Sequence, residues 1–186
     1  MTTQRHTAWD AALQIIKRLR AEGHTALLAG GCVRDRLLAQ TPKDFDIVTD
    51  APPERVKEIF PRARKVGAKF GVMLIRKYGF DTEVATFRSD GTYSNGRHPD
   101  QVTFSSDIED AQRRDFTING LFHDPIEDLV IDYVGGRADL EARILRTIGN
   151  PEQRFGEDHL RMLRAVRFAS RLGFEIEPTT MAAIRT

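Results

Sequence analysis

Residues 28–50 read LAGGCVRDRLLAQTPKDFDIVTD, and two signals inside this stretch decide the fold. The first is the pair Gly30-Gly31. The apolar run 25–29 before it predicts a short buried strand, and Val33, Leu37 and Leu38 after it predict one apolar face of a helix. Glycines at a strand-to-helix junction permit positive φ and let backbone N–H groups approach a ligand closely. A helix start offers unsatisfied donors that suit phosphate, and Arg34 adds a planar, permanently charged donor fork. Taken alone, Gly-Gly reads more readily as a tight turn, since glycine loops are common. The second signal is Asp44-Phe45-Asp46, running into Ile47-Val48. On a strand, positions 44 and 46 share a face. Two carboxylates so close repel, and a cation between them removes the repulsion. Hard oxygen donors in that number suit Mg²⁺, which binds one or two carboxylates together with substrate phosphates. The plain alternative is a solvated strand end, where Asp is common; the apolar Phe45, Ile47 and Val48 argue for a half-buried one. Together the signals describe a site for a triphosphate at one end and a divalent metal at the other.

The rest of the chain bounds this reading. Its 186 residues suffice for a domain of ordinary size with a sizeable core. With 40% hydrophobic and 30% charged residues the composition is that of a soluble globular protein. No apolar run has the length of a membrane span, and the N-terminal residues lack the apolar core of a signal peptide, so a cytoplasmic location is the expectation. The single cysteine, Cys32, excludes an internal disulfide and a cysteine-rich zinc site; beside the glycines it reads as a small packed residue. Net charge is only +1, from 28 basic and 27 acidic residues, so overall charge does not announce a nucleic-acid binder. The basic residues do cluster, at Arg62-Ala63-Arg64-Lys65, at Arg113-Arg114 and along Arg161, Arg164 and Arg167.

In chain order, Trp9, Ala12, Leu13, Ile16 and Leu19 predict a helix over 8–21, stopped by Gly23. A second helix starts at the prolines after Asp50, with Val56, Ile59 and Phe60 inward. Residues 63–67 read as a short strand; 70–76 and 80–87 read as two strands of a hairpin turning at Lys77-Tyr78-Gly79. Glu83 sits on the second of these; beside Asp44 and Asp46 it makes a third carboxylate for a metal. Residues 89–100, SDGTYSNGRHPD, read as a loop after Arg88, with His98 as an ordinary loop residue, and 102–104 as a short strand. Arg113, Arg114, Asp115, Thr117 and Asn119 offer hydrogen-bonding groups for phosphate or sugar hydroxyls, or else form a charged helix end with Asp115 capping the next helix. Strands are expected at 129–134 and 144–148, with a glycine turn at Gly135-Gly136 between them. Residues 157–172 predict one helix with apolar faces from Leu160, Leu163, Val166, Phe168, Ala169 and Leu172. Asp158, Arg161 and Arg164 lie three apart on it, and Asp158–Arg161 can also be a surface ion pair of little value. The pattern stops inside a further helix beginning at Pro178, as expected of a fragment of a longer protein.

Six motifs now occur in order: Gly30-Gly31-x-x-Arg34-Asp35, Lys43-Asp44-Phe45-Asp46, Glu83-Val84-Ala85-Thr86-Phe87-Arg88, Arg113-Arg114-Asp115-Phe116-Thr117-Ile118-Asn119, Asp132-x-x-Gly135-Gly136-x-x-Asp139-Leu140 and Glu157-Asp158-x-x-Arg161. This order resembles the bacterial class II tRNA nucleotidyltransferases and poly(A) polymerases of the DNA polymerase beta superfamily. The resemblance runs from Leu27 to the end and implies an α/β (α+β) fold. A catalytic head over 1–150, with a mixed sheet flanked by helices, precedes the start of a helical neck over 151–186. It implies that Asp44, Asp46 and Glu83 are the catalytic, metal-binding carboxylates with Mg²⁺ as the ion. Gly30, Gly31 and Arg34 would hold the triphosphate; Arg113, Asp115 and Asn119 would recognise the ribose and place the nucleotide. Asp158 and Arg161, with Arg164 on the same nucleotide-binding surface, would read the base of CTP or ATP. Arg88 and the loop after it match a flexible element that changes nucleotide specificity. The substrate implied is the 3′ end of tRNA, and the reaction is two-metal phosphoryl transfer with release of pyrophosphate.

Members that add only CC or only A share these motifs, as do poly(A) polymerases. Lys69-Phe70-Gly71-Val72 is more similar to the tRNA enzymes. A nucleotide- or RNA-binding module without catalysis is the alternative of a different class; it has no need of three acidic residues.

Overall fold

The computed structural model describes residues 6–66, 71–94, 96–97 and 99–185. The expectations for Lys69, Phe70, His98 and the first five residues lie outside them. In chain order the elements begin with α1 (Ala8–Ala21), β1 (Ala26–Ala29), α2 (Gly31–Leu37), β2 (Asp46–Thr49) and α3 (Pro53–Ile59). There follow β3 (Arg64–Lys65), β4 (Val72–Lys77), β5 (Phe80–Thr86), β6 (Arg88–Asp90), β7 (Val102–Phe104) and α4 (Asp107–Gln112). A 3₁₀ turn at Thr117–Asn119 leads to β8 (Leu121–Asp124), β9 (Leu129–Asp132), α5 (Gly136–Ala142) and β10 (Ile144–Leu145). The last are α6 (Pro151–Glu157), α7 (Leu160–Leu172), β11 (Glu175–Ile176) and α8 (Pro178–Arg185). The chain divides into two compact units, residues 1–87 with 122–130 and residues 88–121 with 131–186. The division expected at residue 150 follows chain order; these units do not. Among the described residues no helix is long and apolar enough to cross a membrane.

In the first unit, α1 is started by Thr7, whose hydroxyl accepts from the Asp10 amide at 3.2 Å while Asp10 accepts from the Thr7 amide at 2.7 Å. Its inner face, Ala11, Ala12, Ile15, Ile16 and Leu19, is wholly buried. It covers one side of a mixed sheet of order β3-β4-β5-β2-β1-β8-β9. Strand β1 is antiparallel to β2 and to β8, while β2 is parallel to β5. Four buried residues in a row, Ala26–Ala29, fit a strand covered on both faces. Strands β4 and β5 form the expected hairpin. Its two central residues, Tyr78 (φ 52°) and Gly79 (φ 89°), are both left-handed, which matches the twist of the strands they join.

The second unit has its own core, in which Phe116 and Phe168 meet edge to face at 5.9 Å. Strands β6 and β7 pair antiparallel, and β10 and β11 pair parallel. Helix α5 begins where the Asp132 carboxylate accepts from the amides of Val134, Gly136 and Arg137, each at 3.0 Å. A Cβ on Gly136 would stand 2.2 Å from the Thr117 carbonyl oxygen, so the close approach of these backbones admits only glycine.

Leu37 lies one turn after Val33 and lines the same cavity with it, but as the last residue of α2 it is 42% exposed. Three expectations are corrected. Ser89 and Asp90 are strand residues of β6, and the loop begins at Gly91. The strands expected over 129–134 and 144–148 are shorter, ending at Asp132 and Leu145. The single helix over 157–172 is two helices: Asp158 (φ −143°, ψ 102°) is extended and ends α6, and α7 starts at Leu160. The inner face of α7 is Arg161, Ala165, Phe168 and Leu172; Leu160, Leu163 and Val166 are exposed.

Candidate functional site

The first unit gathers one half of the expected residues. Antiparallel pairing sets Ala29 opposite Asp46, so the glycine turn, which follows Ala29 directly, begins beside the acidic strand end. Gly30 takes φ 70° and ψ −128°, outside the regions open to side-chain-bearing residues. Gly31 does not: a Cβ there meets only Arg34 Nη2, at an ordinary 3.6 Å. Gly30→Ala is therefore expected to cost about 1–3 kcal/mol in folding stability, whereas Gly31→Ala leaves the melting temperature nearly unchanged. Thermal melting of the two variants checks this difference, and equal losses would overturn it.

Asp44 and Asp46 are both exposed and bracket the buried Phe45. This is the alternation expected of side chains on opposite faces, although the paired strand itself starts at Asp46 rather than Phe45. Ile47 pairs with Val84, so Asp46 and Glu83 lie one step earlier on the sheet's other face. Glu83 is exposed there as well. Cys32 reports the nearness of both aspartates. Burial pushes its thiol up to about 11, and the charges of Asp46 and Asp44 add to the shift; its Sγ donates to the Ala29 carbonyl at 3.3 Å. Arg34 is 4% exposed, and its Nε and Nη2 donate to Asp35 Oδ1 at 2.8 and 2.6 Å. The fork is thus held by its sequence neighbour.

Among the described residues no three His, Cys, Asp or Glu side chains converge as a formed metal cage. The donor set still fits a hard divalent ion. It is all oxygen, it lies at an exposed strand end, and Mg²⁺ needs only one or two carboxylates when phosphates and waters complete its shell.

The second unit carries the other half. Asp110, which the sequence reading missed, is completely buried and anchors the arginine pair. Its Oδ1 accepts from Arg113 Nε and Nη2 at 3.0 and 2.7 Å; its Oδ2 accepts from Arg114 Nε and Nη2 at 3.2 and 2.9 Å. Oδ1 also accepts from the Arg88 amide at 3.3 Å. Burial raises the Asp110 carboxyl, but Arg114 and Arg113 outweigh it and hold the pKa below the ordinary carboxylate value. The i,i+3 and i,i+4 spacing was the available signal. Asp115, Asn119 and Arg164 do come together. Asp115 Oδ1 accepts from Asn119 Nδ2 at 3.1 Å, and Oδ2 accepts from Arg164 Nε at 2.7 Å.

Asp158 and Arg161 are not a pair on one helix face. The Asp158 carboxylate accepts from the Leu160 amide at 2.9 Å. Arg161 is 6% exposed and donates to Glu157 Oε2 at 2.9 Å and to the Tyr93 hydroxyl at 3.3 Å. Tyr93 in turn donates to Asp90 at 2.7 Å; burial and this acceptor raise its pKa to about 12. Glu157, quoted only within a motif, and Tyr93 and Arg154, which donates to the Arg113 and Arg114 carbonyls, were given no role. For Glu157 the i,i+3 and i,i+4 spacing from Arg154 and Arg161 was the available signal; Tyr93 lies in a loop without periodicity, and the carbonyl partners of Arg154 are 41 and 40 residues away. In that loop Asp100 accepts from Ser94 Oγ at 2.6 Å and from Thr92 Oγ1 at 3.2 Å.

Residues 26–146 match the family described as the poly A polymerase head domain. The chain belongs to the poly A polymerase head domain family. Among its relatives are the CCA-adding enzyme of Lacticaseibacillus paracasei, 46% identical over 95% of this chain and 44% of its own length, and that of Geobacillus stearothermophilus, 47% identical over 95% and 44%. Poly(A) polymerase I of Escherichia coli O157:H7 is 47% identical over 94% of this chain and 40% of its own. A crystal structure of the Bacillus stearothermophilus CCA-adding enzyme in complex with CTP superposes with a TM-score of 0.86 at 44% identity, covering 96% of this chain and 43% of that one. The mixed sheet flanked by helices is the fold of that head. The chain spans less than half the length of these relatives.

Proposed function

We propose that this poly A polymerase head belongs to a template-independent RNA nucleotidyltransferase that adds CMP and AMP, from CTP and ATP, to the 3′ end of tRNA in the cytoplasm. The observation that carries the reading is the exposed pair Asp44 and Asp46 with Glu83 one strand away, beside a glycine turn, in a chain 46% identical to a CCA-adding enzyme.

Asp44, Asp46 and Glu83 would hold Mg²⁺, which when bound activates the attacking 3′-hydroxyl and offsets charge on the leaving pyrophosphate. Gly30 and Gly31 present backbone amides to the triphosphate, and Arg34, oriented by Asp35, adds its charge. Asp115 and Asn119 offer an acceptor and a donor to the ribose. Arg113, fixed by Asp110, contributes positive charge. Little covalent work is left to the protein beyond positioning and charge stabilisation. In this reading residues 1–150 are the catalytic head and 151–186 begin the neck that carries the base-reading side chains, with Arg88 and the following loop as the element that adjusts specificity.

Cytosine and adenine each present an amino donor beside a ring-nitrogen acceptor, whereas guanine and uracil place a carbonyl where the amino group would be. Asp158 can accept and Arg161 donate, so Asp158→Ala is expected to relax the preference among the four nucleotides. Each pairing lost is worth roughly 1–3 kcal/mol. Single-nucleotide incorporation with CTP, ATP, UTP and GTP measures it, and an unchanged preference order returns Asp158 to a helix-start role.

The function itself is tested by incubating labelled tRNA lacking its 3′ end with each nucleotide and Mg²⁺. Ordered addition of C, C and A supports it. A ladder of A supports the poly(A) polymerase reading, which the Escherichia coli relative favours. Binding without addition overturns both.

A further inference from the structure

The basic cluster Arg62-Ala63-Arg64-Lys65 has no part in the roles above. Arg64 and Lys65 form β3, the edge strand of the sheet. Register carries Arg64 onto the face of the carboxylates. Arg64 pairs with Leu74, Leu74 pairs with Glu83, and Glu83 lies beside Asp46 one step before the Ile47–Val84 pair. Directly opposed residues project to the same side. With strands about 4.8 Å apart, the Arg64 backbone is roughly 10 Å from that of Glu83. Among the described residues Arg62 and Arg64 have no ion-pair partner, and both are exposed. Around the same sheet edge, on the opposite face that α1 covers, is a groove of about 480 Å³, lined among the described residues by Arg18, Arg62, Arg76 and Lys77 with Gln14, Ile15 and Ile75, and by no acidic residue. Ile59 and Phe60 supply apolar surface in it. Arg18 and Arg76 do pair with Glu22 and Asp81, at 3.0 and 3.4 Å, but these are exposed pairs and leave their charge largely available.

Resting on the proposed function, we propose that this edge is the track for the single-stranded 3′ segment of the RNA substrate. Its phosphodiester backbone passes Arg64 on the carboxylate face and turns around the sheet edge at Arg62, and the groove on the α1 face receives the nucleotide beyond. Free cations at an edge fit a repeating anion, and apolar surface beside cations fits a base attached to a phosphate. An incoming triphosphate needs neither, having the glycine turn and Arg34.

The test compares the full chain with its Arg62→Glu/Arg64→Glu variant, using a labelled single-stranded RNA oligomer ending in a 3′-hydroxyl. Arg62→Gln/Arg64→Gln keeps side-chain bulk should the reversal disturb folding. Direct binding is expected to weaken tenfold or more in the reversal variant. The slope of log affinity against log salt should fall by about 1.4, the value for two phosphate contacts on a single strand. In nucleotide addition the KM for RNA should rise by the same factor while the KM for the nucleoside triphosphate moves less than twofold. Arg137→Glu/Arg171→Glu, two exposed arginines in the second unit, makes the same change in net charge and controls for it. Unchanged RNA affinity and salt slope, an equal loss in Arg137→Glu/Arg171→Glu, or a loss confined to nucleotide KM each overturn the proposal. Because binding is measured without turnover, a wild-type chain that binds RNA through this edge but adds no nucleotide defeats the proposed reaction and leaves the track standing.

Discussion

Asp46→Ala, or Asp44→Ala, is expected to abolish nucleotide addition while the domain stays folded. Both carboxylates are exposed, so their removal opens no cavity. Taking away one of two like charges also relieves repulsion. The cost falls on chemistry. Charge stabilisation of several kcal/mol corresponds to about three decades in rate at 1.36 kcal/mol per decade. Single-turnover addition to tRNA, with circular dichroism and melting alongside, measures both sides. A variant with wild-type turnover removes these residues from the reaction; a variant that unfolds shows their role to be structural.

Asp110→Ala is expected to do the opposite and strike the fold first. The wild-type carboxylate is fully buried and accepts from both Arg113 and Arg114, so its loss takes from two partly buried guanidinium groups the carboxylate they share. Breaking such a group by deleting one partner costs about 3–5 kcal/mol, read as a fall in melting temperature. Acid has the same direction. The folded-state pKa of Asp110 is depressed, so its contribution is present above the ordinary Asp value near 3.8 and is lost as pH falls through the lower folded value. Glu177 behaves likewise: held down to about 2 by hydrogen bonds from Thr179 and Thr180 that outweigh its burial, it stops contributing between about 4.5 and 2. Stability in Asp110→Asn should therefore fall less steeply below pH 4 than in the wild type. Parallel pH profiles for the two would deny Asp110 this role.

Local pattern carried much of the first unit. Helix α1 has the bounds that its apolar period and Gly23 imply, and the β4–β5 hairpin turns at the Tyr78-Gly79 that marks it. The glycine turn, the acid pair and Glu83 fall side by side because strand pairing repeats the period-two alternation visible in the residues. What stayed hidden was the choice of partner. Nothing in the order Asp158, Arg161, Arg164 shows that the backbone leaves the helix at Asp158, since one extended residue between two helical stretches barely disturbs a 3.6 period. The i,i+4 spacing does put Glu157 within reach of Arg161, but no spacing says that Arg161 also meets Tyr93, or that Arg164 reaches Asp115, 49 residues away. A charged residue in a sequence has many possible counter-charges, and only the packed chain selects one.

The first unit is assembled from two separated pieces of chain, and this governs the order in which a ribosome can deliver it. Strand β1 lies inside the sheet with β2 on one side and β8 on the other. β2 emerges soon after β1, but the end of β8 follows Ala29 by about 95 residues, which at 5–20 residues per second is roughly 5–20 s of synthesis. Throughout that interval the second edge of β1, four apolar residues with unpaired backbone groups, has no native partner. A nascent chain of this protein therefore passes through a sticky stage, set by its topology, that ends only when β8 has left the exit tunnel.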